Sequence, residues 1–299
     1  MQTQKRPFYK TLLFWELVLG FVVILGIVIT AMVVLKQPVA DPDTNQTQEQ
    51  TQPTESEPTQ PTTEPEETIL PANPIGLGDF KMEGDYLSCT TAPSVLGIDV
   101  SFWQGYIDWQ KVKEAGVEFA IIRAGWRGSE EGVIAADDYV HTNYRNATAA
   151  GIKVGAYFFS QAINVEEAVE EAEFMLDMVK DWEVQMPIVF DWEFVSGDSR
   201  TGKVDARTLT DCTKAFCQTI EDAGYEAMVY FNSDQSRHRI YLEELADYKF
   251  WLAKYNTVLN YPYRVDMWQY TETGSVPGIS GNVDINLYFP WDEETADSN

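Results

Sequence analysis

From residue 96 onward, short apolar runs typical of strands are separated by longer stretches with the hydrophobic periodicity of helices. Three helical stretches each end in an Ala-Gly pair and lead into a short apolar run; the pairs are Ala115-Gly116, Ala150-Gly151 and Ala223-Gly224, and the runs are 119–124, 154–160 and 227–232. Glycine just past a helix supplies the left-handed conformation that caps its end. Helix, short loop and strand in repetition predict parallel strands joined by crossover helices.

The clearest helix is predicted over residues 164–180. Asn164 can cap it, and Glu167 follows three residues later, as in a capping box. One apolar stripe runs along this helix and is made of Val165, Ala168, Val169, Ala172, Leu176 and Val179. The acidic residues fall mainly elsewhere, and we interpret them as a solvated face rather than a metal site; they are Glu166, Glu170, Glu171 and Glu173.

Further strands are predicted at 250–255, 265–270 and 286–289, and with 98–100 and the run at 186–194 the number reaches about eight. The fold class is therefore α/β, and the pattern favours a closed, small and irregular (β/α) TIM-like barrel. Because roughly 200 residues are few for such a barrel, some helices are expected to be short or missing. The alternative is an open doubly wound sheet, but no glycine-rich phosphate loop follows the first strand.

The amino-terminal part of the chain has a different pattern. Residues 1–10 are basic, and residues 11–35 form an apolar segment in which no charge occurs after residue 16. This length is about the 20 residues that a helix needs to cross a bilayer. Because the basic flank comes first, we predict a single transmembrane signal anchor with a cytoplasmic tail at 1–10 and the rest of the chain outside. The alternative, a cleaved signal peptide, normally has a shorter apolar core of about 7–15 residues.

Residues 36–73 are dominated by proline, threonine, glutamine and glutamate and contain no aromatic residue. Such a segment cannot bury enough apolar surface to order itself, so we expect a disordered linker that serves as an extended stalk. Residues 74–95 are interpreted as a lead-in segment that packs loosely on the domain. The barrel is placed at 96–291, and an acidic tail at 292–299.

One apolar run, residues 186–194, contains two carboxylates at alternate positions, Asp191 and Glu193. Side chains in a strand alternate between its faces, so both acids point to the same side, roughly 6–7 Å apart along the strand. Like charges in an apolar setting raise each other's pKa, which favours keeping one of them protonated near neutral pH. The alternative is an exposed edge strand with solvated acids, which the apolar flanking residues disfavour.

Composition excludes several other functions. The formal charge of -26 provides no basic footprint, so we predict that nucleic acid is not a partner. Three cysteines make no disulfide framework, and neither His141 nor His238 has a partner at metal-ligand spacing. A Ser-His-Asp arrangement is disfavoured because the chain lacks a nucleophile elbow. No metal or cofactor is implied.

In a parallel barrel the active site lies at the carboxyl ends of the strands. That rule selects four acids and three aromatic residues that would converge on one mouth: Asp99, Asp191, Glu193 and Asp284, with Tyr157, Tyr230 and Trp268. Each of these residues alone has an ordinary explanation as a cap, a turn or a core residue. Together they suit a saccharide, because aromatic faces pack on sugar rings and paired carboxylates cleave glycosidic bonds.

Residues 96–289 resemble the glycoside hydrolase family 25 lysozymes, the Chalaropsis-type muramidases. The matching stretches agree in order and spacing, which is more specific than any one motif; they are Gly97-Ile98-Asp99-Val100-Ser101, Trp103-Gln104-Gly105, Ile122-Arg123-Ala124, Gly155-Ala156-Tyr157-Phe158-Phe159, Asp191-Trp192-Glu193, Trp268-Gln269-Tyr270 and Val283-Asp284-Ile285-Asn286. The chain departs from the family at Phe158, where many relatives carry histidine. The resemblance implies an irregular (β/α) barrel that hydrolyses the β-1,4 bond between N-acetylmuramic acid and N-acetylglucosamine in peptidoglycan.

The resemblance also implies roles for the acids. Glu193 would be the general acid that protonates the leaving oxygen, and Asp191 would stay ionised beside it. The 2-acetamido group of the substrate could be an internal nucleophile that Asp191 orients; alternatively, Asp191 or Asp99 would act on water directly, with inversion. Asp99 and Asp284 would raise the pKa of Glu193 through their like charge. Tyr157, Tyr230 and Trp268 would line the saccharide groove.

With the anchor and the stalk, this resemblance predicts a muramidase held on the outer face of the cell membrane with its domain turned to the cell wall. Two other functions stay open on the sequence. One is a catalytically inactive barrel that binds the wall, and the other is a hydrolase of a related aminosugar polymer such as chitin.

Overall fold

The computed structural model of the protein describes residues 70–197 and 199–291. Its strands are β1 (Phe80–Glu83), β2 (Tyr86–Cys89), β3 (Val95–Val100), β4 (Phe119–Arg127), β5 (Ile134–Ala136), β6 (Lys153–Ser160), β7 (Ile188–Trp192), β8 (Ala227–Asn232), β9 (Lys249–Ala253), β10 (Met267–Gly274) and β11 (Val283–Tyr288). Its α-helices are α1 (Trp109–Glu114), α2 (Val140–Ala149), α3 (Val165–Val179), α4 (Ala206–Asp222) and α5 (Gln235–His238). Short 3-10 helices are formed by Phe102–Gln104, Arg200–Lys203 and Leu242–Leu245.

Several predictions fall on other parts of the chain. The transmembrane segment at 11–35, the tail at 1–10, the linker up to residue 69 and the acidic tail at 292–299 lie outside the described residues. Across 70–197 and 199–291, none of the helices combines the length and apolarity that a membrane crossing requires.

Eight of the strands close into a barrel. Their order around it is β3, β11, β10, β9, β8, β7, β6 and β4, and the pairing of β4 with β3 completes the circle. β5 is the ninth strand of the sheet and pairs with the carboxyl-terminal part of β4 alone. The eight-stranded α/β barrel expected from the hydrophobic pattern is therefore confirmed.

The last strand of the barrel runs against the others. From β3 through β10, all neighbouring barrel strands are parallel, whereas β11 is antiparallel to both β10 and β3. The expectation of parallel strands joined by helices is therefore wrong for β11, because residues 275–282 join it to β10 without a helix. Since β11 is reversed, its first residues lie at the end of the barrel where the parallel strands finish, and Asp284 pairs with Asp99.

The helices that cross back over the barrel end as the sequence predicts. Gly116, Gly151 and Gly224 adopt positive φ angles of 94°, 76° and 86°, and a strand follows each of them. α1 has six residues and α5 four, and residues 254–266 connect β9 to β10 without any helix. The barrel is thus small and irregular, with short or missing helices, as its length required.

The predicted long helix forms as α3, and its cap is confirmed by the bond from the Glu167 backbone N–H to the Asn164 Oδ1 at 2.9 Å. One of its acids is not on a solvated face. Glu171 is fully buried, and its Oε1 accepts a hydrogen bond from the Arg127 Nε at 2.6 Å. The interpretation of Glu171 as solvated is wrong, because Arg127 at the end of β4 supplies a partner that the pattern of α3 alone does not reveal.

Residues 70–95 pack on the barrel more closely than a loose lead-in would. β1 and β2 form an antiparallel hairpin in which Leu87 is buried, and the ring of Phe80 lies 4.9 Å from that of Trp268. Upstream, Leu70 is buried and Ala72 forms an isolated bridge with Tyr263. The folded region therefore begins earlier than residue 96, and the last residues assigned to the linker belong to it.

Apolar side chains fill the end of the barrel interior where the parallel strands begin; among them are Phe119, Ile121, Val189, Met228 and Met267. Gly97 makes room for Phe119, because a Cβ atom at Gly97 would lie 2.2 Å from the Phe119 ring. The solid packing at this end leaves the opposite end, where the parallel strands finish, as the place for polar groups.

Candidate active site

The four predicted acids lie at the open end of the barrel and line one pocket of about 300 Å³. Asp99 belongs to β3, Asp191 to β7 and Asp284 to the start of β11, and Glu193 is the first residue after β7. Tyr157 on β6 and Tyr230 on β8 line the same pocket. Six of the seven predicted site residues are thereby brought together.

Trp268 is the exception. Its side chain is fully buried outside the barrel, against Phe80, and its Nε1 donates to the Lys254 carbonyl at 2.8 Å. Side chains on β10 alternate between the two faces, so Gln269 points into the pocket instead. The prediction that Trp268 lines the saccharide groove is wrong by one position in the strand.

Other aromatic residues take the place expected of Trp268. Trp251 on β9 is buried in the pocket wall, with its ring 4.9 Å from that of Tyr230. Trp103 and Tyr255 also line the pocket, and they are 75% and 50% exposed, so they form its rim. The period of two along β9 could have selected Trp251, and Trp103 stands in one of the motifs that carried the resemblance.

Two amide side chains hold Asp99. Its Oδ2 accepts hydrogen bonds from the Gln269 Nε2 at 2.8 Å and the Asn286 Nδ2 at 2.9 Å. The indole N–H of Trp251 donates to the Asn286 Oδ1 at 2.9 Å, and the hydroxyl of Tyr230 donates to the Gln269 Oε1 at 3.1 Å. Because an indole N–H can only donate, it fixes the orientation of the Asn286 amide. Asp99 is therefore locked in place, and burial raises its pKa to about 6 against the effect of these bonds.

The pKa values of the other three acids are also raised, by burial and by neighbouring carboxylates. Burial, then Glu193 and Asp99, raise the pKa of Asp191 well above its ordinary value. Burial, then Asp284 and Glu272, raise the pKa of Glu193, and burial and Asp99 raise that of Asp284 to about 8. Carboxylates this close cannot all ionise near neutral pH, so the pocket retains protons.

Asp191 has one further property. It is 5% exposed, and its Oδ1 is buried without a hydrogen-bond partner among the residues that the structure describes. A buried carboxylate oxygen left without a donor costs free energy, so such a group is an expected contact point for a ligand donor.

Arg123 is the cation in the lining of this pocket. Its Nε donates to the Asp137 Oδ2 at 2.9 Å, and its guanidinium lies 4.9 Å from the centre of the Phe102 ring and 5.2 Å from that of Trp126. The positive charge of Arg123 acts against the rise in the pKa of Asp191. The chain pattern did not single out Arg123, although it stands in one of the matching motifs.

Two buried glutamines hold the backbone where β7 ends. The Gln161 Nε2 donates to the Glu193 carbonyl at 2.7 Å and to the Ser160 carbonyl at 2.8 Å. The Gln235 Nε2 donates to the Trp192 carbonyl next to it. Ser160 and Trp192 are the last residues of β6 and β7, and Glu193 follows β7, so the two amides satisfy backbone carbonyls where the strand pairing ends. We call Gln161 and Gln235 the glutamine clamp; no local sequence signal identified it.

Within the described parts of the chain, no cluster of three or more His, Cys, Asp or Glu side chains has an arrangement that could hold a metal ion. The site consists instead of paired acids with raised pKa values, set among aromatic rings. Such a set can donate a proton to a leaving oxygen while a second carboxylate stabilises positive charge, which is the chemistry of glycoside hydrolysis.

Comparisons with known proteins agree with this class. The model of a family described as Glycosyl hydrolases family 25 matches residues 98–279. Lysozyme M1 of Streptomyces globisporus is 31% identical over an alignment of 207 residues, which covers 65% of this chain and 67% of that protein. The chain therefore belongs to glycosyl hydrolase family 25, and it is a glycoside hydrolase of the lysozyme kind.

Solved structures show the same fold. The bacterial lysozyme from Streptomyces coelicolor superimposes with a TM-score of 0.53 at 29% identity, covering 66% of this chain and 92% of that one. The modular autolysin LytC from Streptococcus pneumoniae superimposes with a TM-score of 0.57 at 27% identity and has also been solved in complex with a synthetic peptidoglycan ligand. This chain spans 47% of the LytC chain, so only part of that protein has a counterpart here.

Proposed function

We propose that the barrel is an N-acetylmuramidase that cleaves the β-1,4 bond between N-acetylmuramic acid and N-acetylglucosamine in peptidoglycan. The observation that carries this proposal is the shared pocket of Asp191 and Glu193, with a raised pKa on each and aromatic rings around them. Family membership and the lysozymes among its relatives support the choice of substrate.

Glu193 is the general acid in this proposal. Its pKa is raised by burial and by the carboxylates of Asp284 and Glu272, so it stays protonated to a higher pH than an ordinary glutamate. It donates its proton to the glycosidic oxygen as the bond breaks. Activity should therefore be present below this raised pKa and disappear as the pH rises through it.

Asp191 orients the 2-acetamido group of the substrate. Without substrate, Asp191 favours its protonated form, because its pKa is raised, with burial as the largest cause. An acetamido N–H that donates to the unpartnered Oδ1 would stabilise the ionised form and leave the proton on Glu193. The acetamido oxygen then attacks the anomeric carbon, and water later opens the cyclic intermediate, so the configuration is retained.

The proposal is tested with Glu193→Gln and Asp191→Asn in a protein that contains residues 70–291. We expect the rate of release of new reducing ends from peptidoglycan to fall by about 10²–10⁴-fold, the usual contribution of a positioned acid or base. Glu173→Gln, at an exposed position of α3, makes the same charge change and is the matched control. Full activity of Glu193→Gln with unchanged melting would reject the assignment.

Two measurements on the products define the reaction. Mass spectrometry should find muramic acid at the new reducing ends, whereas preferred cleavage of chitin would point to another aminosugar polymer. Proton NMR of the first product should show the β-anomer, and an α-anomer would reject the acetamido mechanism in favour of direct attack by water. Binding to the wall without new reducing ends would identify an inactive binding module.

The location is also part of the proposal. The basic flank and apolar segment of residues 1–35 support a single-pass anchor in the cell membrane, and the proline-rich residues 36–69 support a stalk that extends the barrel toward the wall. Protease added to intact wall-free cells should release the barrel from the full-length protein. A barrel that stays protected, or that is found only in the culture fluid, would reject this location.

A further inference from the structure

A second pocket, of about 560 Å³, lies beside the candidate active site. It is bounded by the residues that follow β8 and by the connection from β9 to β10, including Ser233, Arg237, Lys254 and Tyr261. We call it the side pocket. Lys254 lines the side pocket and Tyr255 lines the catalytic pocket, and consecutive Cα atoms are about 3.8 Å apart. The two pockets are therefore neighbours.

The side pocket contains two cations with no ion-pair partner. Arg237 and Lys254 lie on its wall, and neither forms a salt bridge with any residue in 70–197 or 199–291. In this they differ from Arg127, Arg200 and Lys249, each of which pairs with a carboxylate. Arg237 is exposed and Lys254 is half-buried, so both charges are accessible to an anionic ligand.

Both cations are held by the fold. The Arg237 Nε donates to the Ser233 carbonyl at 2.8 Å, which fixes one edge of its guanidinium and leaves the other nitrogens for a ligand. The backbone of Lys254 is fixed on both sides, since its N–H donates to the Gln269 carbonyl at 3.1 Å and its carbonyl accepts from Trp268. Glu243 is the carboxylate of the lining, so the formal charge of the side pocket remains positive.

The neighbouring catalytic pocket has the opposite charge character. It is lined by Asp99, Asp191, Glu193, Glu272 and Asp284 beside Arg123. A glycan carrying an anionic branch would be repelled by these acids unless the branch were directed elsewhere. The side pocket provides a positive region next to the saccharide site, together with the tyrosine rings of Tyr261 and Tyr263, which lie 5.9 Å apart.

We propose that the side pocket binds the carboxylate-bearing peptide branch of the glycan strand, with Arg237 and Lys254 pairing with its carboxylates. This inference rests on the proposed function, because muramic acid carries that branch on its lactyl ether. Binding of the peptide branch in the side pocket makes the enzyme selective for peptide-substituted strands over bare glycan.

The test compares two substrates made from one peptidoglycan preparation: strands that keep their peptides and strands from which an amidase has removed them. The variant Arg237→Gln with Lys254→Gln removes both charges and leaves a neutral polar side chain, somewhat shorter, at each position. We expect its kcat/KM on peptide-bearing strands to fall about 10-fold, mainly through KM, with less than about a twofold change on stripped strands. The matched control is Arg145→Gln with Lys153→Gln, since both residues are exposed and Lys153 begins β6 at the other end of the barrel.

Binding is measured separately in the Glu193→Gln background, with a soluble muramyl disaccharide that carries its peptide and with the same disaccharide without it. The peptide should tighten binding, the gain should shrink as salt rises, and the double variant should abolish the gain. Equal losses on both substrates, no loss on either, or a loss as large in the control pair would overturn the proposal. If the wild type cleaves neither substrate, the proposed function fails, whereas the binding comparison still decides the ligand of the side pocket.

Discussion

The glutamine clamp predicts a loss of both stability and turnover when Gln161 is replaced by alanine. Gln161 is fully buried, and its amide nitrogen donates two bonds, at 2.7 Å to the Glu193 carbonyl and 2.8 Å to the Ser160 carbonyl. The substitution leaves both carbonyl groups without this donor, and each buried unsatisfied group costs about 1–3 kcal/mol. With the small cavity that the side chain leaves, we expect a loss of about 3–5 kcal/mol in the free energy of unfolding.

A loss of that size lowers the melting temperature by about 6–20 °C, since a domain of this length loses about 2–4 °C per kcal/mol. Catalysis should suffer because Gln161 holds the backbone of Glu193, the proposed proton donor, and small displacements of a catalytic group are costly. We expect kcat to fall at least about 10-fold at a temperature well below the melting point, with KM changed less. The pH at which activity disappears should also shift, because the surroundings of the Glu193 carboxyl change.

Calorimetry and initial rates of reducing-end release measure the two effects. Gln110→Ala, at an exposed position of α1, removes a glutamine of the same size from the surface and should change neither. Wild-type melting of Gln161→Ala would refute the energetic reasoning. Reduced melting with wild-type kcat and pH profile would show that the clamp is structural and does not position Glu193.

Two further substitutions test the electrostatics of the pocket. In Asp284→Asn the negative charge beside Glu193 is lost, so the pKa of Glu193 should fall and the alkaline limit of activity should move to lower pH; an unchanged limit would contradict the coupling. The pKa of Asp284 is about 8 in the folded state, against an ordinary value near 4. The stability of the wild-type fold therefore declines as the pH rises from 4 to 8, because the folded state holds the proton more tightly. Relative to wild type, the variant should be more stable by about 1–3 kcal/mol at pH 8 and should show no gain at pH 4. Trp251→Phe removes the donor to Asn286 and some buried volume, and urea unfolding should detect a loss of about 2–4 kcal/mol; an unchanged midpoint would refute the role of that bond.

The parts of the site that could be predicted are those coded by strand periodicity. The spacing of Asp191 and Glu193 placed both on one face, and both line the pocket. The same period misplaced Trp268, because a shift of one residue along β10 moves a side chain to the other face of the sheet. Asp284 reached the pocket although it stands at the start of its strand, since β11 runs against its neighbours.

The parts that could not be predicted depend on partners distant in the chain. Glu171 has the spacing of a surface acid in α3. Its burial is tolerated because the ion pair with Arg127 of β4 offsets the cost of desolvating its carboxylate. Gln161 and Gln235 have no periodic or motif signal, because their partners are backbone carbonyls that any residue could provide. Pairings of this kind are set by the closure of the barrel and become visible only in three dimensions.

The hairpin of β1 and β2 determines where this domain can be cut for recombinant work. Trimming at residue 96, where the alternating pattern begins, would uncover Trp268 and remove the N–H of Leu87 that donates to the Tyr270 hydroxyl at 3.4 Å. The trimmed protein would expose an aromatic surface, self-associate through it and precipitate. A version that starts ahead of Leu70 keeps this cover and should remain in solution.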